Sequence, residues 1–332
     1  MTHDSADDLS RSLPGLATEL ENGDEVILLD NDSGDDLQAV VTQHLPAAMI
    51  VEMGGNSGFA AAINRGAQLA AGDLLVILNP DARPEPGFGS AIREPLQSRP
   101  QWSAWMGLVI YRDAGQALIN TKGNPVHFTG IAWAGGHGTP VQAAGVSGPV
   151  PTASGACLAV KPESWNRLGG FAEQFFLYQE DTDFSLRLRS VGETVGINVE
   201  AIVDHEYEFE RGPDKWFWLE RNRWAMIIRT YPAALLVLLA PALILTELAL
   251  VVVASRGGWL KQKVRAWLAL LGWLPRLARE RRSIQSSRSI PAREFAGILT
   301  ADLDSPFFPD LVRAPLPRIL LRGYWRLLKA LL

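Results

Sequence analysis

The chain has 332 residues, 47% apolar and 20% charged, which is room for about two globular domains and excludes wholesale disorder and fibrous repeats. Its one cysteine, Cys157, excludes a disulfide framework and cysteine-rich zinc sites and fits a reducing compartment. The net charge of −5 hides an asymmetry: residues 256–332 hold fifteen Lys/Arg against five Asp/Glu, and the remainder is correspondingly acidic.

In chain order, the first twenty-five residues carry Asp4, Asp7, Asp8, Glu19 and Glu21 without a long apolar run, so no secretory leader is expected and the cytoplasmic side is the expected location. Val26–Leu29 and Leu74–Leu78 read as short buried strands, and Phe59–Ala71 between them as an Ala-rich helix. Strand, helix, strand predicts an α/β domain with a mainly parallel sheet. Residues 112–150, rich in Gly, Pro and Thr, read as loops and hairpins. Ala153–Val160 reads as a strand and Pro162 as the first residue of a helix. Over Asp181–Val191, Phe184, Leu188 and Val191 share one helical face, with Arg187 and Arg189 expected to point elsewhere.

Gly212-Pro213 predicts a boundary, giving a catalytic domain over 1–212 and a helical basic region over 213–332. Lys215–Arg229 reads as an aromatic, arginine-rich helix. Ala233–Ala254 follows, with Thr246 and Glu247 as its only polar side chains, long enough to span a bilayer. One span would place the basic tail opposite the acidic body, against the positive-inside tendency. Lys261, Lys263 and Arg265 interrupt the next apolar stretch, Trp259–Leu274, so it is not a good returning span. The pattern therefore predicts an interfacial helix pair with a basic rim, with a membrane surface engaged through 233–282 and no nucleic acid as partner. A buried core helix with a solvated tail is the competing reading.

The chain lacks a Gly-Lys phosphate loop, His-Glu-x-x-His, Gly-x-Ser-x-Gly and Gly-x-Gly-x-x-Gly. It carries instead acidic residues at strand ends. Asp30 follows Leu28-Leu29 where open α/β sheets bind ligands, though alone it is an ordinary polar turn. Asp81 follows Val76–Leu78 through Asn79-Pro80, a place for one carboxylate to anchor a divalent cation. Glu180, Asp181 and Asp183 follow the aromatic run Phe175-Phe176-Leu177-Tyr178. Carboxylates so close must share a proton or a cation or reach solvent, which points to a partly desolvated general base; capping a helix N-terminus is the alternative. His205, closing Ile202-Val203-Asp204, is either a metal ligand or a satisfied strand-edge residue.

Taken together, GGNSGFAAAINRG (54–66), LLVILNPDA (74–82), SGACLAVKPESWNRLGGFAEQFFLYQEDTDFSLRLRSVG (154–192) and VDHEY (203–207) resemble a family 2 glycosyltransferase, closest to the bacterial rhamnosyltransferase-like branch, over about residues 2–230. The resemblance implies a GT-A fold and inverting transfer from a dTDP- or UDP-sugar, with Mg²⁺ or Mn²⁺, to a cell-wall or surface glycan, possibly polyprenyl-linked. It implies Asp30 at the donor's base, Asn56, Gly58 and Asn64 near the donor, and Gly155 and Ala156 against the sugar nucleotide or acceptor. Asp81 would be the last acid of the metal motif, with Asn79 standing where a second acid is usual, and His205 a further ligand. Asp181, after Glu180, would be the base.

Glu220-Arg221-Asn222-Arg223-Trp224 resembles a segment of the same branch, readable as a leaving-group arginine or as structural helix. Thr2-His3-Asp4-Ser5 matches the family's base-pocket turn, which makes Thr2 and Asp4 donor candidates, but the strand that normally precedes it is absent here; a start assigned too late is the expected reason. A catalytically weak, membrane-associated scaffold that binds sugar nucleotide or glycan is the alternative function.

Overall fold

The computed structural model describes residues 1–205, 214–308 and 314–332. The helices are α1 (Ala6–Glu19), α2 (Leu37–His44), α3 (Phe59–Leu69), α4 (Phe88–Arg93), α5 (Pro95–Ser98), α6 (Pro162–Leu168), α7 (Glu180–Ser190), α8 (Lys215–Thr230), α9 (Ala233–Arg256), α10 (Leu260–Ser287), α11 (Ala292–Ile298) and α12 (Pro315–Leu331). The strands are β1 (Ile27–Asp30), β2 (Met49–Glu52), β3 (Leu75–Leu78), β4 (Ala82–Pro84), β5 (Trp102–Asp113), β6 (Gln116–Thr121), β7 (Gly148–Pro149), β8 (Cys157–Val160) and β9 (Thr194–His205).

The chain divides into two compact units. The first comprises Met1–Asn124, Ala134–Ser185 and Glu193–Glu208; the second Pro125–Trp133, Leu186–Gly192 and Phe209–Leu332. The expected boundary at 212, and Glu206 and Tyr207 of the VDHEY run, lie outside the described residues. The division is not a single cut, because the short segments 125–133 and 186–192 belong with the C-terminal helices.

In the first unit, β1 and β2 form a parallel pair in the register Leu28↔Ile50. The main sheet runs β3-β8-β5-β9-β4, with β6 on β5 and β7 on β9. The α/β class is as expected, but the mainly parallel sheet is not. Among the described strands only β1–β2 and β5–β9 pair in parallel, and the others are antiparallel. One of these reversals is local: Ala114 and Gly115, at φ 46° and 80°, make a two-residue turn that folds β6 straight back on β5.

The apolar run from Ala104 to Ile110 is buried throughout, making β5 the central strand. At Gly107 an added Cβ would lie 2.5 Å from the Ala201 carbonyl and 3.0 Å from the Cys157 sulfur, so only glycine lets β5, β8 and β9 close up. Burial pushes the Cys157 thiol up to about 12, leaving it inert.

The second unit is helical. In α9 only Leu235, Leu239, Leu243 and Ala254 are buried; the first three form a stripe at a spacing of four, and most of the helix is not enclosed by protein. Glu247 ties α9 to its neighbours. Its carboxylate accepts from Lys263 Nζ at 2.7 Å, Trp267 Nε1 at 2.6 Å, Trp224 Nε1 at 3.1 Å and the Arg223 guanidinium. Glu220 completes the cluster, 2.6 Å from Lys263 Nζ and 3.3 Å from Arg223. Arg223 and Lys263 are buried, and two carboxylates against two cations make that tolerable.

Removing one carboxylate leaves cationic charge uncompensated in a dry place. Glu247→Ala is expected to destabilise the second unit by about 3 kcal/mol, whereas Arg265→Ala, at an exposed ion pair, should cost under about 1 kcal/mol; chemical denaturation of both variants checks this.

Candidate functional site

Sheet register assembles the candidate residues. Leu78 pairs with Cys157, so Asn79–Asp81 leave β3 beside Ser154–Ala156 at the start of β8, and Asn79 N–H donates to the Ala156 carbonyl at 3.1 Å. Ala82 pairs with His205, placing Asp81 at the end of β9. Asp81 Oδ1 lies 3.1 Å from His205 Nε2, and Asn79 Nδ2 lies 3.3 Å from the same nitrogen. Asn120 Nδ2 donates to the His205 carbonyl at 3.3 Å. Asp204, beside His205, instead engages Arg83 and Arg112.

Asp81 and His205 are thus brought together and Asn79 joins them, but no cluster of three or more His, Cys, Asp or Glu side chains stands among the described residues. One carboxylate and one imidazole suit a cation that completes its shell with water and substrate phosphates, as Mg²⁺ and Mn²⁺ do.

Asp181, in the first turn of α7, faces Gly155. Its Oδ2 accepts from Gly155 N–H at 2.8 Å, and its Oδ1 accepts from Thr182 N–H at 2.6 Å and Thr182 Oγ1 at 3.1 Å. Burial raises its pKa, and these three hydrogen bonds pull the other way. Glu180 is 5% exposed, and its Oε2 is buried without a hydrogen-bond partner. Burial first, then the charges of Asp181 and Asp183, holds its pKa well above the usual carboxylate range.

The segment feeding these acids is strained. Phe176, Tyr178 and Gln179 adopt φ values of 64°, 71° and 67°, a left-handed region that non-glycine residues rarely occupy. Phe176 leans on Gly58, where a Cβ would approach its ring to 2.5 Å and the backbone φ is 82°. Of the aromatic run before the acids, Phe175 is wholly buried in the core, and Phe176 and Tyr178 are partly exposed.

The donor candidates form a second cluster. Thr2 makes a parallel bridge to Asp30, and Asp4 Oδ1 accepts from Gly34 N–H at 2.7 Å. Asp30 Oδ1 accepts from Ser33 N–H at 3.0 Å. Asn56 Oδ1 accepts from Asn31 Nδ2 at 3.0 Å and from Gly58 N–H at 3.1 Å. Asn31 is the hub, its Oδ1 also accepting from Ser57 N–H and Oγ at 2.8 and 2.9 Å, and its carbonyl lying 2.9 Å from His3 Nδ1. Neither Asn31 nor His3 was singled out by the sequence; a buried Asn between two aspartates was the available signal.

Asn64 is placed apart from this cluster. Its amide bonds the Phe171 backbone at both ends and Glu173 Oε1, bracing the loop that leads to α7. In the second unit, Arg223 is held by Glu220 and Glu247, and Arg221 lies over the rings of Phe217, Trp218 and Trp273.

Residues 1–130 match the family model for glycosyl transferase family 2. An N-acetylglucosaminyl-diphospho-decaprenol L-rhamnosyltransferase, found in two strains of Mycobacterium tuberculosis, is 29% identical over 213 residues, covering 58% of this chain and 69% of that protein. Among solved structures, the mannosyltransferase PcManGT from Pyrobaculum calidifontis, in complex with GDP-Man and Mn²⁺, aligns over 99% of this chain and 84% of its own with TM-score 0.50 and 17% identity. GalNAc-T7 with UDP, GalNAc and Mn²⁺ aligns over 62% of this chain and 41% of its own, with TM-score 0.49 and 15% identity. Residues 1–130 thus match the description of a family 2 glycosyltransferase domain, and the chain shares the fold of PcManGT.

The buried acid pair makes a pH-dependent prediction. Glu180 has a folded-state pKa above its unfolded value, so it contributes stability at low pH that is lost as pH rises through the folded pKa. Glu180→Gln should therefore be more stable than the natural chain by a margin that grows as pH rises above the usual carboxylate range, as thermal unfolding over a pH series would show.

Proposed function

We propose that this chain is a glycosyltransferase that inverts the anomeric centre of a deoxyhexose, such as rhamnose, moving it from a dTDP- or UDP-linked donor to a hydroxyl of a lipid-linked cell-wall glycan. The observation that carries the reading is Asp181, whose carboxylate is partly desolvated yet fixed by Gly155 and Thr182. An acceptor hydroxyl is a poor nucleophile, and a carboxylate with a raised pKa is a better acceptor for its proton. With both oxygens oriented by N–H and O–H donors, the base points one way without having to reorganise. Burial raises the Glu180 pKa and so disfavours a second charge beside it.

The nucleotide's place in this reading is the cluster of Thr2, Asp4, Asp30, Asn56 and Gly58, at the carboxyl end of β1. Gly155 and Ala156 lie between Asp181 and Asn79, where a small residue leaves room for the sugar. Asp81 and His205 would hold a divalent cation, which when bound would neutralise the charge growing on the leaving diphosphate. Phe176 and Tyr178 would restrict water and so limit wasteful hydrolysis of the donor.

The acceptor assignment rests on the mycobacterial relative, whose name describes rhamnosyl transfer to a decaprenol diphosphate carrying N-acetylglucosamine. It is supported by the apolar surface of the second unit. Ile244, Leu245 and Leu248 of α9 and Leu268 and Leu271 of α10 are each at least 60% exposed, and basic side chains such as Arg265 and Arg276 are exposed alongside. Such helices lie at the interface of the inner leaflet as a monotopic anchor, with Glu247 bound to cations of the same unit rather than carried across the bilayer.

Asp181→Asn should reduce transfer about a thousandfold while donor affinity changes less than about twofold, measured by product formation and by titration with dTDP-rhamnose and UDP-sugars. In the same assays, Asp81→Ala and His205→Ala should raise the Mn²⁺ needed for half-maximal activity by about tenfold or more; equal loss of donor binding and turnover in Asp181→Asn removes it as the base. Donor binding without turnover in the natural chain, with metal present, would favour the scaffold reading.

The membrane reading has its own check. The chain should co-sediment with phosphatidylglycerol-containing vesicles, less so at high salt, and the double change Leu245→Asp, Leu268→Asp should weaken binding about tenfold or more.

A further inference from the structure

α12 carries two apolar faces rather than one. Its inner face is spent within the second unit. Trp325 and Leu328 are buried, the Trp325 ring stacks on Phe128 with centroids 5.0 Å apart, and Tyr324 Oη donates to the Leu238 carbonyl of α9 at 3.1 Å. Leu316, Ile319, Leu320, Leu327 and Leu331 are each at least 59% exposed, and helical geometry puts them within about 120° of the circumference, turned away from the buried pair. Gly323 and Ala330, also exposed, fall in the same arc. A helix packed on a globular body normally turns one stripe to the core and polar side chains to water. Here the outward arc is itself apolar, and it is left bare.

The charges of α12 indicate what covers that arc. Residues 314–332 include Arg318, Arg322, Arg326 and Lys329 and no Asp or Glu. The four cations share a band of about 80° that separates the buried arc from the bare one along one flank. Arg318 Nε and Arg322 Nε donate to Asp302 at 3.0 and 2.7 Å, which fixes the rotation of the helix. Arg326, further along, is exposed. Leucines beside a row of cations are what a helix lying in a bilayer surface presents: the apolar side chains enter the acyl region and the long basic ones reach the phosphates. A second α12 packed on the first would set like charges together. Bare apolar surface also adjoins the helix on α9, where the exposed Val237 precedes the Leu238 carbonyl held by Tyr324.

We infer that α12 is a membrane-contact helix in its own right, whose outer face enters the surface of a bilayer containing anionic phospholipid, with Arg326 and Lys329 on the headgroup phosphates. The contact lies outside 233–282, goes beyond the anchor proposed there and is read out separately from it. A single helix lying on a membrane leaves the attached body free to roll about its axis. A contact at a second helix removes that freedom, and the two gain the avidity of linked sites. Trp325, Leu328 and Asp302 keep α12 seated in its unit meanwhile, so no inner contact is given up.

Cys157 is buried and its thiol inert, so a cysteine introduced at an exposed position is labelled alone. The full chain as Leu320→Cys, carrying an environment-sensitive nitrobenzoxadiazole dye, should blue-shift and brighten about twofold or more on phosphatidylglycerol-containing vesicles. Lipid spin-labelled in the acyl chain should quench it. Arg326→Gln with Lys329→Gln should weaken the response about tenfold, and vesicles of phosphatidylcholine alone should give little. The same dye on Leu245→Cys reports α9. A response there with none on α12 overturns this inference and leaves the earlier anchor standing, and the converse result upholds α12 alone. A blue shift that follows protein concentration without vesicles assigns the face to a second copy and overturns the inference. Equal responses on neutral and anionic vesicles overturn it as well.

Discussion

The register of β8 between β3 and β5 decides where the candidate catalytic groups stand. Once Leu78 faces Cys157, the chain leaving β3 and the chain entering β8 come off the sheet side by side. That single alignment sets Asn79 against Ala156 and, through Gly155, sets the backbone donor that holds Asp181. The pairing of β4 with β9 adds His205 to Asp81 from the other side. A shift of one residue in either ladder would turn alternate side chains to the opposite face and scatter the group. Gly107, which lets the central strands approach, supports the site without touching it.

Much of this was legible in the chain. Apolar runs ending in an acid located β3, and Pro162 marked α6. The strands that escaped notice show the limit of periodicity. β5 is apolar on both faces, so its run carries no alternation to separate strand from buried helix. The parallel bias failed because strand direction depends on turns, and the Ala114-Gly115 reversal is a two-residue event within a Gly-rich stretch.

The site itself was legible in kind but not in arrangement. Acidic residues at strand ends declared themselves, whereas Asn31, His3 and Asn120 act through contacts between distant segments that no local pattern encodes. Asn64 shows the reverse: it lies in a motif that pointed to the donor, yet its amide is spent on the Phe171 loop. In the second unit, Arg187 was expected to point away from the buried face and is instead buried, because the end of α7 packs among the C-terminal helices' own segments. The one acid of α9 was visible as an oddity, and its meaning emerged only with Arg223 and Lys263 around it.

The left-handed residues just before Glu180 carry a cost as well as a shape. Holding Phe176, Tyr178 and Gln179 in that region costs roughly 1 kcal/mol or more apiece, free energy supplied by the packing on either side. The same packing fixes the direction in which α7 sets out, so the alignment of the Asp181 carboxylate with the Gly155 N–H is tied to strain held just upstream of it. A substitution that relieved the strain would leave the carboxylate's chemistry intact and spoil its aim.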